Sequence, residues 1–131
     1  MKTFRIDYLF IDTHPGLNEE TLLSILLSDT LVLLLRPDQQ DFQGTAVTVE
    51  VARKLKLKKL LMVVNNALPR LDFENLKHQV QETYNAPVAA ILPVSEEMME
   101  LGSAGLFSLK YPEHPFSQGV RELAAQILST A

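Results

Sequence analysis

The stretch YLFIDTHPGLNEET, residues 8–21, is an apolar run that ends abruptly at Asp12. The chain then turns through Pro15 and Gly16 and enters a segment rich in acidic residues and leucine. Such a run is typical of a buried strand, so Asp12 is predicted to lie at a strand tip, next to a turn. A carboxylate there is either a turn residue that bonds to the backbone two residues on, or part of a magnesium site.

Apolar runs of similar length recur along the chain, and helix-like segments follow each of them. The runs are IDYLFI (6–11), TLVLLL (30–35), KLLMVV (59–64) and PVAAIL (87–92). The helix-like segments cover roughly 19–27, 45–55, 72–84, a short stretch from Ser95 to Gly102, and 116–129. The runs are continuous rather than alternating, which is typical of strands buried on both faces of a parallel sheet. This order predicts an α/β fold in one domain over residues 1–131, with a parallel sheet of about four strands and helices on both faces.

Composition excludes several classes of site. The chain has 131 residues and no Cys, so disulfides and Cys-ligated metal sites are excluded, and a reducing cytoplasm is the expected location. The three His residues are far apart and match no ligand spacing. The net charge of −4 argues against nucleic acid as a dominant partner. The longest apolar runs are shorter than the ~20 residues of a membrane span, and the N-terminal residues lack the apolar core of a signal peptide.

Polar or turn residues follow each predicted strand. They are Asp12 to Gly16, Arg36 to Asp38, Asn65 with Asn66, and Pro93 to Glu96. The carboxyl ends of parallel strands share one edge of a sheet, where open α/β sheets bind their ligands. Asn65 is either an amide that begins a loop or a side chain that pairs with the edge of a base.

These segments together resemble the MinD/ParA family of deviant P-loop ATPases. YLFIDTHPGL resembles the Walker B strand and switch of that family, and LLLRPDQQDFQGTAVTVEVARKL resembles its next strand, turn and helix. LLMVVNN resembles the strand that ends in the adenine-side Asn, and AAILPVSEEMMELGSAGLFSLKYPEHPFSQGVRELA resembles the terminal Pro loop and last helix. The resemblance runs over nearly the whole chain in the family order. It implies a partial Rossmann-like P-loop NTPase fold and a role in intracellular positioning or partitioning.

The resemblance also implies roles for individual residues. Asp12 matches the aspartate that organises Mg²⁺ through water, and the residues Thr13 to Leu17, with Gly16 among them, match the switch that senses the γ-phosphate. Asn65 matches the amide that contacts the base, and Pro93 and Val94 match the loop that flanks it. His14 departs from the small or Pro residue usual at its position in the family.

A phosphate-binding loop is missing from the sequence. No G-x-x-x-x-G-K-[ST] motif or lysine variant occurs, and none of the five Gly residues precedes a Lys. That loop supplies the backbone cradle and the lysine that neutralise phosphates. The resemblance therefore implies ATP and Mg²⁺ as ligands of a full-length protein, with no ligand bound and no ATP hydrolysed by this chain alone. The resemblance implies the C-terminal half of such an ATPase, and it leaves open whether this is a piece of a longer protein, the product of a split gene or a degenerate relative.

The family topology has a consequence for the sheet. There the P-loop strand lies between the Walker B strand and the strands that follow it. Since unpaired backbone groups in a buried strand cost ~1–3 kcal/mol each, a gap is not tolerable. We therefore expect a rearranged sheet, or a homodimer or strand-paired oligomer, with a full-length relative as the alternative partner.

Two features have alternative interpretations as binding surfaces. The run RKLKLKK (53–59) is either a patch for DNA or acidic lipid, or the end of a helix that leads into a strand. The helix-end interpretation is favoured. The C-terminal RELAAQILSTA has one cation and an apolar stripe suited to a core, so a membrane anchor is not expected.

Overall fold

A computed structural model describes residue 3 and residues 5–129. In chain order, its helices and strands are α1 (Glu19–Leu27), β1 (Thr30–Leu35), α2 (Gln39–Lys54), β2 (Lys59–Ala67), α3 (Phe73–Tyr84), β3 (Val88–Pro93), α4 (Glu96–Leu101), α5 (Phe107–Lys110) and α6 (Pro115–Leu128). Within this part of the chain, no helix has the length and hydropathy that crossing a membrane requires.

The sheet of the described residues has three parallel strands in the order β1-β2-β3. The central strand, β2, alternates its side chains between two layers of helices. Met62 and Val64 face α2 and α3 in one apolar cluster, whereas Val63 faces α6 in a second cluster. The prediction of helices on both faces of a parallel sheet is therefore confirmed.

The helix starts follow local capping chemistry. Asn18, Asp38, Asp72 and Ser95 each accept a hydrogen bond from the backbone N–H three residues on, at the starts of α1, α2, α3 and α4. Asp38 explains why α2 begins at Gln39, several residues before the predicted start.

The predicted strand at residues 6–11 is wrong, and with it the sheet of about four strands. These residues belong to no strand, and all of them are exposed, including Leu9 at 77% and Phe10 at 75%. A parallel strand is stable only when a neighbour accepts its backbone hydrogen bonds. Because no described residue supplies that neighbour, the segment stays unpaired despite its apolar sequence. The alternative of a rearranged sheet in which this segment pairs directly is also absent from the described residues.

Tyr84 joins α3 to the start of α2, and this contact leads to a prediction about its ionisation. Its hydroxyl donates to the carbonyl of Phe42 at 2.7 Å, and the two rings stack with their centroids 6.1 Å apart. Burial, assisted by the charge of Asp41, raises the pKa of Tyr84 from its usual 10.0 to about 12.

We expect the ultraviolet titration difference between the native chain and Tyr84→Phe to be centred near pH 12. The folded pKa is raised, so the unfolded chain loses this proton first as pH rises. The contribution of the neutral hydroxyl to stability is therefore complete below pH 10 and is lost between pH 10 and 12. A difference titration centred near pH 10 would contradict this prediction.

Candidate functional site

The carboxyl ends of β2 and β3 bring three of the predicted site residues together. Asn65 lies within β2 and is half-buried. The residue after it, Asn66, has a left-handed φ of 54°, which marks an irregularity in the pairing with β3. Ala67 pairs with Pro93, and the N–H of Val94 donates to the carbonyl of Ala67 at 2.9 Å. Asn65, Pro93 and Val94 therefore share one edge of the sheet, as the sequence predicted.

The other predicted site residues lie in an irregular segment before α1. Asp12, Thr13 and Gly16 are exposed and belong to no helix or strand. Gly16 has a φ of 95°, a conformation that glycine adopts far more readily than other residues, so the predicted turn is present. Asp12 consequently does not lie at a strand tip, because the strand that would carry it does not form.

These three residues line a large cleft along β1, here called the edge cleft. It has a volume of about 1170 Å³ and is lined mainly by residues 6–16 and 27–34, with further residues from α1, α2, the end of α6 and Ser129. Successive side chains of a strand point to opposite faces of the sheet, so a cleft on one face would contact every second residue. Residues 30–34 all line this cleft. The edge cleft therefore runs along the outer edge of β1, the side that has no neighbouring strand in the described structure. Asn65, Pro93 and Val94 do not line it.

The charges of the edge cleft are all of one sign. Its lining includes Asp7, Asp12, Asp29 and Asp41, and no Lys or Arg. One carboxylate with water can hold Mg²⁺ when substrate phosphates complete the coordination, so Asp12 has suitable chemistry for that ion. The phosphates themselves need cations or a backbone cradle, and the described lining supplies no cation. The residues present therefore fit the metal and not the phosphates of a nucleotide.

Among the described residues, no three His, Asp or Glu side chains cluster in a way that could hold a metal ion. An all-protein metal centre is accordingly not part of the described site.

Asp41 is the most firmly positioned of the acidic residues. Its Oδ2 accepts the backbone N–H of Arg36 at 2.9 Å, and its own N–H donates to Asp38 at 2.9 Å. The hydrogen bond from the backbone of Arg36 lowers the pKa of Asp41. Asp41 therefore keeps its negative charge near the carboxyl end of β1.

A cluster of Ser, Glu and His fixes the chain around the start of α4. The hydroxyl of Ser95 donates to Glu97 Oε2 at 2.9 Å, and His114 Nε2 lies 3.8 Å from the same oxygen. The backbone N–H of Glu97, followed by the Ser95 hydroxyl, lowers the pKa of the Glu97 carboxyl. Because the serine proton points to the carboxylate and not to the imidazole, this is no arrangement for activating a nucleophile. The cluster holds the loop that follows Pro93 and Val94.

Four of the five cations of the 53–59 run have partners within the fold. Arg53 and Lys59 donate to backbone carbonyls at the ends of two helices, namely Tyr84 with Asn85 and Gln126 with Ser129. Lys54 and Lys58 form exposed ion pairs with Glu50 at 3.6 Å and Asp29 at 3.7 Å. These contacts favour the helix-end interpretation of the run over a nucleic-acid or lipid patch.

Comparison with known proteins gives a fold. A scan against protein-family models and a search of curated proteins found no match. Among solved structures, the chain is similar to the MinD cell division protein of Aquifex aeolicus, with a TM-score of 0.70 and 12% identity. This match covers 87% of this chain and 50% of that one. The MinC:MinD cell division protein complex of the same organism matches with a TM-score of 0.70 and 13% identity. This match covers 88% of this chain and 49% of that one. The septum site-determining protein MinD of Pyrococcus horikoshii OT3, complexed with Mg-ADP, matches with a TM-score of 0.74 and 22% identity. This match covers 90% of this chain and 49% of that one.

The chain has a MinD-like fold. It spans about half the length of the MinD structures that it matches. In this fold, Asn65, Pro93 and Val94 lie at the carboxyl ends of β2 and β3. The other three predicted site residues line the edge cleft, beside the outer side of β1.

Sequence reasoning missed the importance of the open edge. Neither the outer edge of β1 nor Thr21, which lines the edge cleft, was among the predicted site residues. A signal was available in the sequence, because Asp12 directly follows one apolar run and Asp29 directly precedes the other.

Proposed function

We propose that this chain is the C-terminal portion of a MinD/ParA-like nucleotide-binding ATPase that acts in intracellular positioning or partitioning. The observation that carries the proposal is the match of nearly the whole chain to about half of each MinD structure. The sequence segments that resemble the family occur in the family order, which supports the same assignment.

In this proposal, the site residues form two groups with different tasks. Asp12 holds Mg²⁺ through water, and Thr13 and Gly16 belong to the segment that responds to the terminal phosphate. Asn65 contacts the base, which lies beside Pro93 and Val94. Bound Mg-ATP would supply the phosphoryl group for hydrolysis, and these residues would position it.

The isolated chain is proposed to be inactive because its sequence has no phosphate-binding loop to neutralise the phosphates. The described lining of the edge cleft supports this, since it has no Lys or Arg to offset the charge of a triphosphate. A phosphate-binding half must therefore come from a longer form of the chain or from another polypeptide.

The test joins the chain to the half of Pyrococcus horikoshii MinD that it does not match. Titration with a fluorescent Mg-ATP analogue should show binding by the chimera and little or none by the chain alone. Phosphate-release assays should show turnover by the chimera only. Asp12→Ala in the chimera should lower turnover by about a hundredfold or more, because the metal loses its protein carboxylate.

The control variant is Glu122→Ala, which removes an exposed acidic residue of α6 outside the edge cleft. It should leave binding and turnover unchanged. A folded chimera that does not bind Mg-ATP would refute the proposal, as would ATP turnover by the isolated chain that disappears in Asp12→Ala.

The edge cleft favours a second candidate function. A chain without a phosphate-binding loop can still act as a non-catalytic interaction module, by dimerising or by binding a relative that carries the missing segment. The unpaired outer edge of β1 is the observation in its favour. Binding of a polypeptide without any requirement for nucleotide distinguishes this candidate from the first.

A further inference from the structure

The imidazole of His114 is held on three sides at the start of α6. Its Nδ1 accepts the backbone N–H of Phe116 at 3.0 Å, so this side chain caps the helix. The buried ring of Phe107 packs against the imidazole at an angle of 86°, with the ring centroids 5.0 Å apart. On the third side, Nε2 lies 3.8 Å from Glu97 Oε2. Because only 20% of the His114 side chain is exposed, these contacts fix its orientation.

The capping contact also fixes where the neutral imidazole carries its proton. A ring nitrogen that accepts a hydrogen bond has no proton of its own, so the N–H of the neutral ring is at Nε2. Nε2 is the nitrogen that faces Glu97. The carboxylate keeps its charge, because its own backbone N–H and then the Ser95 hydroxyl lower the pKa of Glu97. The Nε2–H of His114 therefore attracts this carboxylate across a gap longer than a hydrogen bond.

The carboxylate of Glu97 connects His114 to the loop that follows β3. Its Oε2 also accepts the hydroxyl of Ser95 at 2.9 Å. The Ser95 oxygen in turn accepts the N–H of Met98 at 3.0 Å and so caps α4. Ser95 is 8% exposed and directly follows Val94, whose N–H donates to a carbonyl of β2 at 2.9 Å. The three side chains therefore connect the start of α6 with the loop between β3 and α4.

α4 and the loop before it depend on such polar contacts because packing holds them weakly. α4 has six residues, and none of them is fully buried. A helix of one or two turns is not stable by itself. α6, by contrast, is anchored on the sheet, since Phe116 and Val120 pack on the apolar cluster that contains Leu92 of β3. His114 therefore connects the weakly packed α4 to a firmly packed helix.

We propose that His114 is a positioning residue for the base of a bound nucleotide. It acts through Glu97 and Ser95, which hold the loop of Pro93 and Val94 in the conformation that receives the base. This inference rests on the proposed function, in which the base lies beside that loop. A loop that is ordered before the ligand arrives does not lose binding free energy to its own ordering. Removal of the His114 contact should therefore weaken binding of the base and leave the hydrolytic step nearly unchanged.

Two substitutions of His114 separate this role from helix capping. Asn has an oxygen close to the position of Nδ1 and is a good capping residue, but its side chain does not reach Glu97. Gln has an N–H close to the position of Nε2 and leaves the backbone N–H of Phe116 without its acceptor. Both substitutions lose the ring contact with Phe107. His114→Asn should therefore lose the contact with Glu97 and keep the cap, whereas His114→Gln should keep that contact and lose the cap.

The variants are compared in the chimera with the Pyrococcus horikoshii MinD half, using an Mg-ATP analogue labelled on its ribose. In His114→Asn, the Kd should rise about fivefold, while kcat at saturating ATP stays within about twofold of the native value. In His114→Gln, the Kd should stay within about twofold, and the midpoint of chemical denaturation should fall further than in His114→Asn. The matched control is His78→Asn, which removes an exposed histidine that lies 3.0 Å from Glu82 in α3 and should leave the Kd unchanged.

A double substitution tests the path through Glu97. Glu97→Ala should raise the Kd about as much as His114→Asn, because it removes the carboxylate that both His114 and Ser95 contact. The two changes combined should raise the Kd no further than Glu97→Ala alone. In the isolated chain, the NMR signals of the Val94 and Ser95 amides should shift in His114→Asn and stay in place in His78→Asn.

Three results would overturn the inference while the proposed function stands. The first is an unchanged Kd in His114→Asn, and the second is a loss of affinity in His114→Gln as large as in His114→Asn. The third is additive effects of His114→Asn and Glu97→Ala on the Kd. If the native chimera does not bind Mg-ATP, the proposed function is refuted, and the inference fails with it.

Discussion

Replacement of Met62 by Ala is expected to lower the free energy of unfolding by about 2–5 kcal/mol. Met62 is fully buried in β2, where it pairs with Leu33 on one side and Val88 on the other. A central strand with paired neighbours on both sides cannot move inward to fill the cavity that the substitution leaves. The loss would be a large part of the ~5–15 kcal/mol that stabilises a typical domain. Guanidinium denaturation followed by circular dichroism measures it.

Met99→Ala provides a control with the same change of side chain. Met99 lies in α4 and is 72% exposed, so its replacement should change stability by less than about 0.5 kcal/mol. If both variants lost the same stability, the assignment of Met62 to the core between the sheet and its helices would be wrong.

Gly119→Ala is the second substitution with a large expected effect, a loss of about 1–3 kcal/mol. Gly119 lies where α6 packs on β3. A Cβ added there would come within 2.8 Å of Leu92 Cδ2 and 3.5 Å of the carbonyl oxygen of Ile91. The helix must then move away from the strand, or the buried Leu92 must change its conformation. This cost exceeds the gain of about 1 kcal/mol that Ala normally brings to a helix.

Gly44→Ala measures the effect of helix propensity on stability without a new steric contact. Gly44 lies in α2, and a Cβ there would meet no atom within 4 Å. We therefore expect this variant to be more stable by about 0.5–1 kcal/mol. Chemical denaturation should show that the free energy of unfolding falls in Gly119→Ala and rises in Gly44→Ala, each relative to the native chain. A gain in both would show that α6 does not approach β3 as closely as described.

Much of the fold could be predicted from short-range pattern. The strand over residues 30–35 and the helix over 19–27 appear with the predicted limits, because apolar runs and capping residues act locally. The helix Phe107–Lys110 was missed, since it is a single turn with no side chain that caps its start. α2 was predicted to begin too late because Asp38 was interpreted as part of a turn and not as a cap.

The segment 6–11 shows the limit of such reasoning. Its sequence is as apolar as that of β1, yet a strand exists only if another strand accepts its hydrogen bonds. Local pattern carries no information on whether that neighbour is present. For this reason the predicted site residues fall into two groups. The predicted position of Asp12 depended on a strand that does not form among the described residues. The positions of Asn65, Pro93 and Val94 depended on strands that do form.

The contacts of Arg53 and Lys59 have a consequence for the order of folding. Neither α3 nor α6 has a basic residue in its own last turn, and the positive charge near each carboxyl end comes from α2 and β2. As isolated peptides, both helices would lack this charge and would be mostly random coil. Their formation is therefore coupled to assembly of the sheet, and the helices and strands should melt in a single cooperative transition.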